Sequence, residues 1–271
     1  MPIHDDLGKR MKEFYEQVPK TRLVRRMPVA IRIDGKAFHT FTRGFQKPFD
    51  NVLILSMQET MKYLCKNIQG CVLGYTQSDE ITLILVDYQK LTSGAWFDYE
   101  VQKMCSIAAS MATMAFNKAF EKNVHDFGER FLPDFDEGGT DKEVNQLFLN
   151  QYNAYVKALE KGAMFDARVF NIPKEEVTNL IYWRQLDATR NSIQMVGQAF
   201  FSHGELQNKT CSNIQDMLML EKGINWNNFA DDEKRGSCCI KAFGGWAVDR
   251  NIPIFKGEDR AYIDDLIYVG E

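Results

Sequence analysis

The sequence has no membrane-length apolar run, no CxxC pair and no excess of positive charge. Its 271 residues contain no stretch near the roughly 20 consecutive apolar residues that a membrane-crossing helix needs. The opening segment MPIHDDLGKRMKEFYE is charged and lacks an apolar core, so no secretory leader is expected and the chain reads as cytoplasmic, without a membrane partner. Its six cysteines are Cys65, Cys71, Cys105, Cys211, Cys238 and Cys239. Two of them are adjacent, an awkward geometry for zinc, so reduced and mostly buried thiols are expected. Internal repeats and low-complexity linkers are also lacking. The formal net charge of −4 gives no global attraction to nucleic acid.

That charge is unevenly spread. Residues 9–26 hold Lys9, Arg10, Lys12, Lys20, Arg22, Arg25 and Arg26 against only Glu13 and Glu16, whereas residues 134–143 are acidic. The basic stretch reads equally as a phosphate-binding face and as an ordinary solvated helix face. Apolar residues make up 45% of the chain, enough for one large domain or a core domain with an appendage.

Along the chain, Leu7, Met11, Phe14 and Tyr15 recur at helical spacing over residues 8–17. MPVAIRID, residues 27–34, alternates as a strand, with Val29, Ile31 and Ile33 on one face and Arg32 and Asp34 on the other, before Gly35 breaks it. Asp50 is placed to cap a helix running to about Asn67. CVLGYTQ and ITLILVD flank the three residues SDE, the pattern of a tight hairpin. A helix over 98–121 carries the small residues Ala108, Ala109, Ala112 and Ala115, and 163–171 reads as another strand.

This order, β-α-β-β-α-β, predicts an α+β protein with a ferredoxin-like antiparallel sheet, helices on one face and the other face free. A mainly helical C-terminal extension follows, with helices expected at 174–183, 188–201 and 212–222, a turn at 224–229 and a short strand at 237–243. Residues 132–143 read as a flexible insertion, with a helix near 143–160. The expected division is a basic N-terminal helix (1–26), a sheet domain (27–171, with an insertion near 132–160) and a helical region packed on it (172–271).

In such a sheet, strand one neighbours the hairpin, so Asp34 and Asp79 meet although 45 positions separate them. Two carboxylates beside exposed backbone at Gly35 make an all-oxygen site of the kind Mg²⁺ prefers. Two such ions would support in-line displacement at phosphorus. The adjoining loop GKAFHTFTRGFQKP has backbone amides able to cradle phosphates, with charge from Lys36, Arg43 and Lys47. It is not a Walker A loop, because the GxxxxGK[ST] spacing is absent. Without the carboxylates it would read as a surface turn.

Five segments in order carry a family resemblance: Arg32 to His39 followed by Lys47-Pro48, Tyr75 to Glu80, Phe165 to Val169, Trp183 to Asp187 and Ile224 to Asn228. With them the chain resembles the tRNA-His guanylyltransferase family and its bacterial, archaeal and viral relatives that polymerise in the 3′–5′ direction. The resemblance implies a polymerase-type palm and two Mg²⁺ ions held by Asp34, Asp79 and the Gly35 carbonyl. It implies a triphosphate held by the backbone of Gly35, Lys36, Ala37, Phe38 and His39, assisted by Lys47 and Ser78. Arg32 and Lys103 occupy positions of phosphate-contacting basic residues. Glu80 is expected to order the hairpin or assist a metal, with a solvated turn carboxylate as the plain alternative; for His39 the alternative is a packed loop histidine. Trp183 and Arg184 read as structural.

Dedicated tRNA-His enzymes carry His-Ile-Asn-Asn after the tryptophan segment; this chain has Thr189-Arg190-Asn191-Ser192, retaining only Asn191. A second basic residue expected just before Lys103 is also absent. These departures favour the tRNA-repairing branch: template-dependent addition of nucleotides to the 5′ end of truncated tRNA after 5′-adenylylation, with ATP and GTP or other nucleoside triphosphates as substrates. The alternatives are addition of a single G at position −1 of tRNA-His, a palm-type nucleotidyl cyclase, and a non-catalytic tRNA- or nucleotide-binding protein. Lys20, Arg22, Arg25, Arg26, Arg190, Lys234 and Arg235 are the candidate tRNA contacts. The resemblance also implies a homotetramer, a dimer of dimers.

Overall fold

The computed structural model describes residues 5–131, 142–242 and 244–269. The expected flexible stretch falls mostly on residues 132–141, outside the described residues. The chain opens with helix α1 (Asp6–Met11), which runs into a π-helical turn at Lys12–Glu16. The apolar residues of this segment do not pack: Leu7, Phe14 and Tyr15 are all exposed.

The palm core follows the expected order. It consists of β1 (Val29–Gly35), α2 (Phe38–Phe41), α3 (Asn51–Asn67), β2 (Cys71–Gln77), β3 (Glu80–Leu85), α4 (Val101–Phe131), α5 (Lys142–Lys161) and β4 (Phe165–Asn171). Asp50 caps α3, accepting from the Leu53 N–H at 2.9 Å. The C-terminal region adds α6 (Lys174–Phe200), α7 (His203–Leu206), α8 (Cys211–Lys222), α9 (Asp231–Arg235), β5 (Ser237–Ala242), β6 (Gly245–Asp249) and α10 (Ala261–Ile267).

All strands pair antiparallel, in the order β4-β1-β3-β2-β5-β6. The C-terminal region therefore supplies two strands of the sheet as well as helices, and β6 was not expected from the sequence. Alternation sorts the side chains. Val29, Ile31, Ile33, Ile81 and Leu83 pack with α3 and α4, where Ala108, Ala112 and Ala115 let α4 lie close. Ala30, Tyr75 and Ile84 point the other way, onto Val177 and Ile181 of α6 and Ile263 and Ile267 of α10. The second face, which the sequence reading left free, is thus partly covered.

The two helices expected at 174–183 and 188–201 are one continuous helix, α6. The apolar pattern breaks between them because Arg184 and Gln185 are buried there. Their polar groups are satisfied inside the fold: Gln185 bonds the Pro253 carbonyl and the Phe255 N–H, and Arg184 binds Glu80. All six cysteines are free thiols, and Cys65, Cys71, Cys238 and Cys239 are buried. No described helix is long and apolar enough to cross a membrane.

Candidate active site

Strand register builds the acidic centre. Asp34 in β1 lies directly across from Glu80 in β3 and Asp166 in β4, a row of three carboxylates over three strands. Asp79 joins them from the turn, where the Gly35 N–H donates to the Asp79 carbonyl at 3.1 Å. Like charges at this spacing repel unless compensated. Compensation is selective. Glu80 is buried at 6% exposure, and Arg184 grips both its oxygens, Nε to Oε1 at 2.7 Å and Nη2 to Oε2 at 2.8 Å. Arg32 adds a third bond to Oε2 at 2.8 Å. Asp166 has a longer ion pair with Arg168.

Asp34 and Asp79 have no ion-pair partner among the described residues. Burial, then the Glu80 and Asp166 charges, push the Asp34 carboxyl above its ordinary range, and the nearby Arg168 and Arg32 charges offset this only in part. Burial also raises Asp79, with Asp34 and Glu80 adding to it, against a hydrogen bond from Ser78. The two aspartates therefore hold an uncompensated negative charge in an all-oxygen setting, which fits a hard divalent cation.

Glu80 begins β3 and is not a turn residue: Gln77 pairs with Glu80, leaving only Ser78 and Asp79 in the turn. Ser78 adopts a positive φ of 51° there.

Phenylalanine packing shapes the segment that follows β1. Phe38 sits at 5.0 to 5.5 Å from the rings of Phe41, Phe116 and Phe165, so its side chain is an anchor in the core. A Cβ on Gly35 would come within 2.3 Å of that ring, so only glycine allows the loop to close over it. The N–H groups of Gly35 and Lys36 are used by the carbonyls of Asp79 and Met164. Those of Ala37, Phe38 and His39 have no backbone acceptor among the described residues, which narrows the expected amide cradle to these three.

A cleft of about 720 Å³ lies beside the loop. It brings together Gly35, Ala37, Phe38, His39, Lys47, Ser78 and Asp79 with Met195 and Gln198 of α6. A smaller adjoining pocket adds Asn191 and Ser192, and Asp50 lines both. Arg32 and Asp34 stand beside this cleft on the sheet face. Lys36 is exposed outside its lining, and Lys103 of α4 holds its ammonium 4.8 Å from the ring of Phe97 in the turn before that helix, also outside it. His39 is exposed on the short helix α2, not packed.

Sequence reasoning missed Asp166, Asp50, Met195 and Gln198. Asp166 was legible as a strand residue in register with Asp34. Asp50 was read only as a cap, yet it also accepts from the Tyr155 hydroxyl at 2.6 Å and the Gln46 N–H at 2.9 Å. Met195 and Gln198 carry no chemical signal of their own.

The basic candidates are largely spent within the fold. Lys20 pairs with Glu100 at 3.8 Å, Arg22 with Asp98 at 3.1 Å, and Arg25 with both Asp87 and Asp98. Arg190 pairs with Asp187, and Arg235 with Asp231. The Arg26 side chain is exposed while its N–H donates to Asp87. Lys234 requires correction as a surface contact: it is 7% exposed, donates to the Asn227 carbonyl at 2.9 Å and pairs with Asp231. It braces the loop before α9.

A palm sheet with two carboxylates that lack ion-pair partners, Asp79 in the lining of the cleft and Asp34 next to Gly35 of that lining, fits a palm-type nucleotidyltransferase. The family described as tRNAHis guanylyltransferase (Thg1) matches residues 8–173, more than half of the chain. A bacterial tRNA(His) guanylyltransferase-like protein solved with ATP is 41% identical, covers 97% of this chain and 100% of its own, and superposes with a TM-score of 0.79. One solved with GTP is 37% identical over 98% and 100%, with a TM-score of 0.75. The tRNA(His) guanylyltransferase of Saccharomyces cerevisiae is 26% identical over 77% of this chain and 80% of its own. This chain belongs to the tRNAHis guanylyltransferase family of nucleotidyltransferases.

Proposed function

We propose that the protein is a template-dependent 3′–5′ nucleotidyltransferase that rebuilds the 5′ end of truncated tRNA. The observation that carries this reading is the joining of an amide-lined cleft to two uncompensated carboxylates, Asp34 and Asp79. Likeness to bacterial relatives solved with ATP and with GTP supports nucleoside triphosphates as substrates. Repair is favoured over single-G addition because the tRNA-His run is replaced. Of Thr189–Ser192, Thr189 is tied to the Gln185 carbonyl, while Asn191 and Ser192 line the pocket, Asn191 donating to Asp187 and Ser192 accepting from the Trp226 indole N–H.

Two Mg²⁺ ions would be held by Asp34, Asp79 and the Gly35 carbonyl. When bound they neutralise triphosphate charge and acidify the attacking hydroxyl. The chain's own groups do the rest. The N–H groups of Ala37, Phe38 and His39 cradle the triphosphate, and Lys47 and Ser78 flank it. An oxygen of the RNA 5′-monophosphate attacks the α-phosphorus of ATP, and pyrophosphate leaves. The 3′-hydroxyl of an incoming nucleotide then attacks the activated 5′-phosphorus, forming the new phosphodiester as AMP leaves. Arg32, held by Glu80 next to Asp34, faces the RNA phosphate side. Assembly as a homotetramer, a dimer of dimers, belongs to the same proposal; the exposed Leu7, Phe14 and Tyr15 offer an apolar face for it.

The test is a panel of tRNAs lacking their first nucleotide, with the opposite base varied. Additions that follow the opposite base in several tRNA species support repair. Addition of G to tRNA-His alone, whatever the opposite base, overturns it.

A further inference from the structure

Nucleotide addition at an RNA end needs two approaches to one pair of carboxylates. The cleft described above serves the triphosphate. The second approach lies on the sheet face over β1 and β4, where Arg32 and Asp34 point. Its most unusual feature is Trp183, which is 51% exposed. Its indole ring lies 5.2 Å from the Arg32 guanidinium and 4.6 Å from that of Arg184. Both guanidiniums are fixed by Glu80, so the ring rests on a buried network instead of on loose surface chains.

Trp183 is not part of the nucleotide cleft. It lies 12 residues before Met195 on α6, about 18 Å along the helix at 1.5 Å per residue. It does adjoin the acidic centre, because Arg32 is two residues from Asp34 on the same face of β1. The charges around it are nearly balanced: Arg32, Arg184 and Arg168 stand against Glu80, Asp166 and Asp187. Such a surface leaves Arg32 for a single phosphate contact but has little net charge to hold the RNA backbone. An indole braced by two fixed guanidiniums and still 51% exposed offers ring surface to a ligand, and base stacking on aromatic side chains is how single-stranded or unpaired ends are gripped without sequence preference.

We infer that Trp183 is a stacking platform for the nucleobase at the 5′ end of the RNA delivered to Asp34 and Asp79. This rests on the functional reading above. Trp183 is here a substrate-positioning residue: it holds the terminal nucleotide so that its 5′-phosphate reaches the carboxylates. Tolerance of any base is the property that repair of varied tRNAs requires.

The test pairs the side chain with the base. A tRNA lacking its first nucleotide is prepared with either a natural base or an abasic ribose at its new 5′ terminus, and binding to the full chain is followed by fluorescence anisotropy. The wild-type protein should bind the abasic RNA about tenfold more weakly. Trp183→Ala should bind both RNAs equally, at the weaker level, and Trp183→Phe should keep most of the discrimination. ATP affinity by calorimetry and the sedimentation of the protein should match wild type in both variants. Equal binding of the two RNAs by the wild type, or undiminished discrimination by Trp183→Ala, overturns the inference and leaves the functional reading standing. Loss of ATP affinity, or a changed oligomeric state, would also overturn it, by making Trp183 a structural or subunit-contact residue. Failure to bind either RNA overturns the functional reading along with it.

Discussion

Arg184 and Glu80, 104 residues apart in sequence, form a two-bond ion pair at 2.7 and 2.8 Å inside the fold. Both side chains are nearly buried, and the two-bond pair is the main compensation each has for leaving water, with Arg32 adding to Glu80 and Asp187 to Arg184. The pair fastens α6 to the start of β3, beside Asp79 and opposite Asp34. Removing one partner leaves the other buried with one counter-charge in place of two: Glu80 keeps Arg32, and Arg184 keeps Asp187. Glu80→Gln and Arg184→Met are each expected to lower stability by about 3–5 kcal/mol, and the double variant by clearly less than their sum. Urea denaturation of the four proteins checks this; additive losses would remove the pair's claim to be a coupled unit.

The uncompensated charge on Asp34 and Asp79 makes a second, opposite prediction. Without metal, Asp34→Asn and Asp79→Asn each relieve repulsion, so the melting temperature in EDTA should equal or exceed that of the wild type. Added Mg²⁺ should raise the wild-type melting temperature through preferential binding to the folded state, and should do so less in either variant. Both variants should lose adenylylation and nucleotide addition together. A variant that keeps either activity would remove that aspartate from the metal set.

Gly35 and Phe38 give a steric prediction. In Gly35→Ala the new methyl falls within 2.3 Å of the Phe38 ring, so the loop must shift away from the Asp79 turn. Nucleotide affinity should fall by at least tenfold. Phe38→Ala should cost about 3–5 kcal/mol of stability, because it empties an aromatic cluster. If Gly35→Ala binds ATP as the wild type does, measured by calorimetry, the loop geometry is not what holds the nucleotide.

The parts of the fold with a clean period were legible. β1 alternates from Val29 to Asp34, the Asp50 cap announces α3, and the hairpin strands flank a short polar turn. What failed to show had a physical cause. α6 reads as two helices because Arg184 and Gln185 occupy core positions, and their partners, Glu80 and the 253–255 backbone, lie far away in sequence. β6 is a short edge strand that starts at Gly245, where no apolar alternation marks it. In the site, acidic residues were legible by type, but their compensation was not. That Glu80 is neutralised and Asp34 is left free depends on which strand and helix each guanidinium reaches from.

The same distinction separates two lysines that look alike in sequence. Lys47 is exposed beside the cleft, whereas Lys234 is buried and bonded to Asn227 and Asp231. Lys47→Ala should leave the melting temperature unchanged and raise the KM for nucleoside triphosphate several-fold, as loss of one phosphate-directed charge does. Lys234→Ala should do the reverse: it leaves the Asn227 carbonyl without its donor and Asp231 with Arg235 alone, at a cost of about 1–3 kcal/mol, and changes the nucleotide KM little. Thermal denaturation and steady-state kinetics on both proteins decide the matter. If Lys234→Ala weakens RNA binding at full stability, its ammonium reaches the substrate and the burial argument fails.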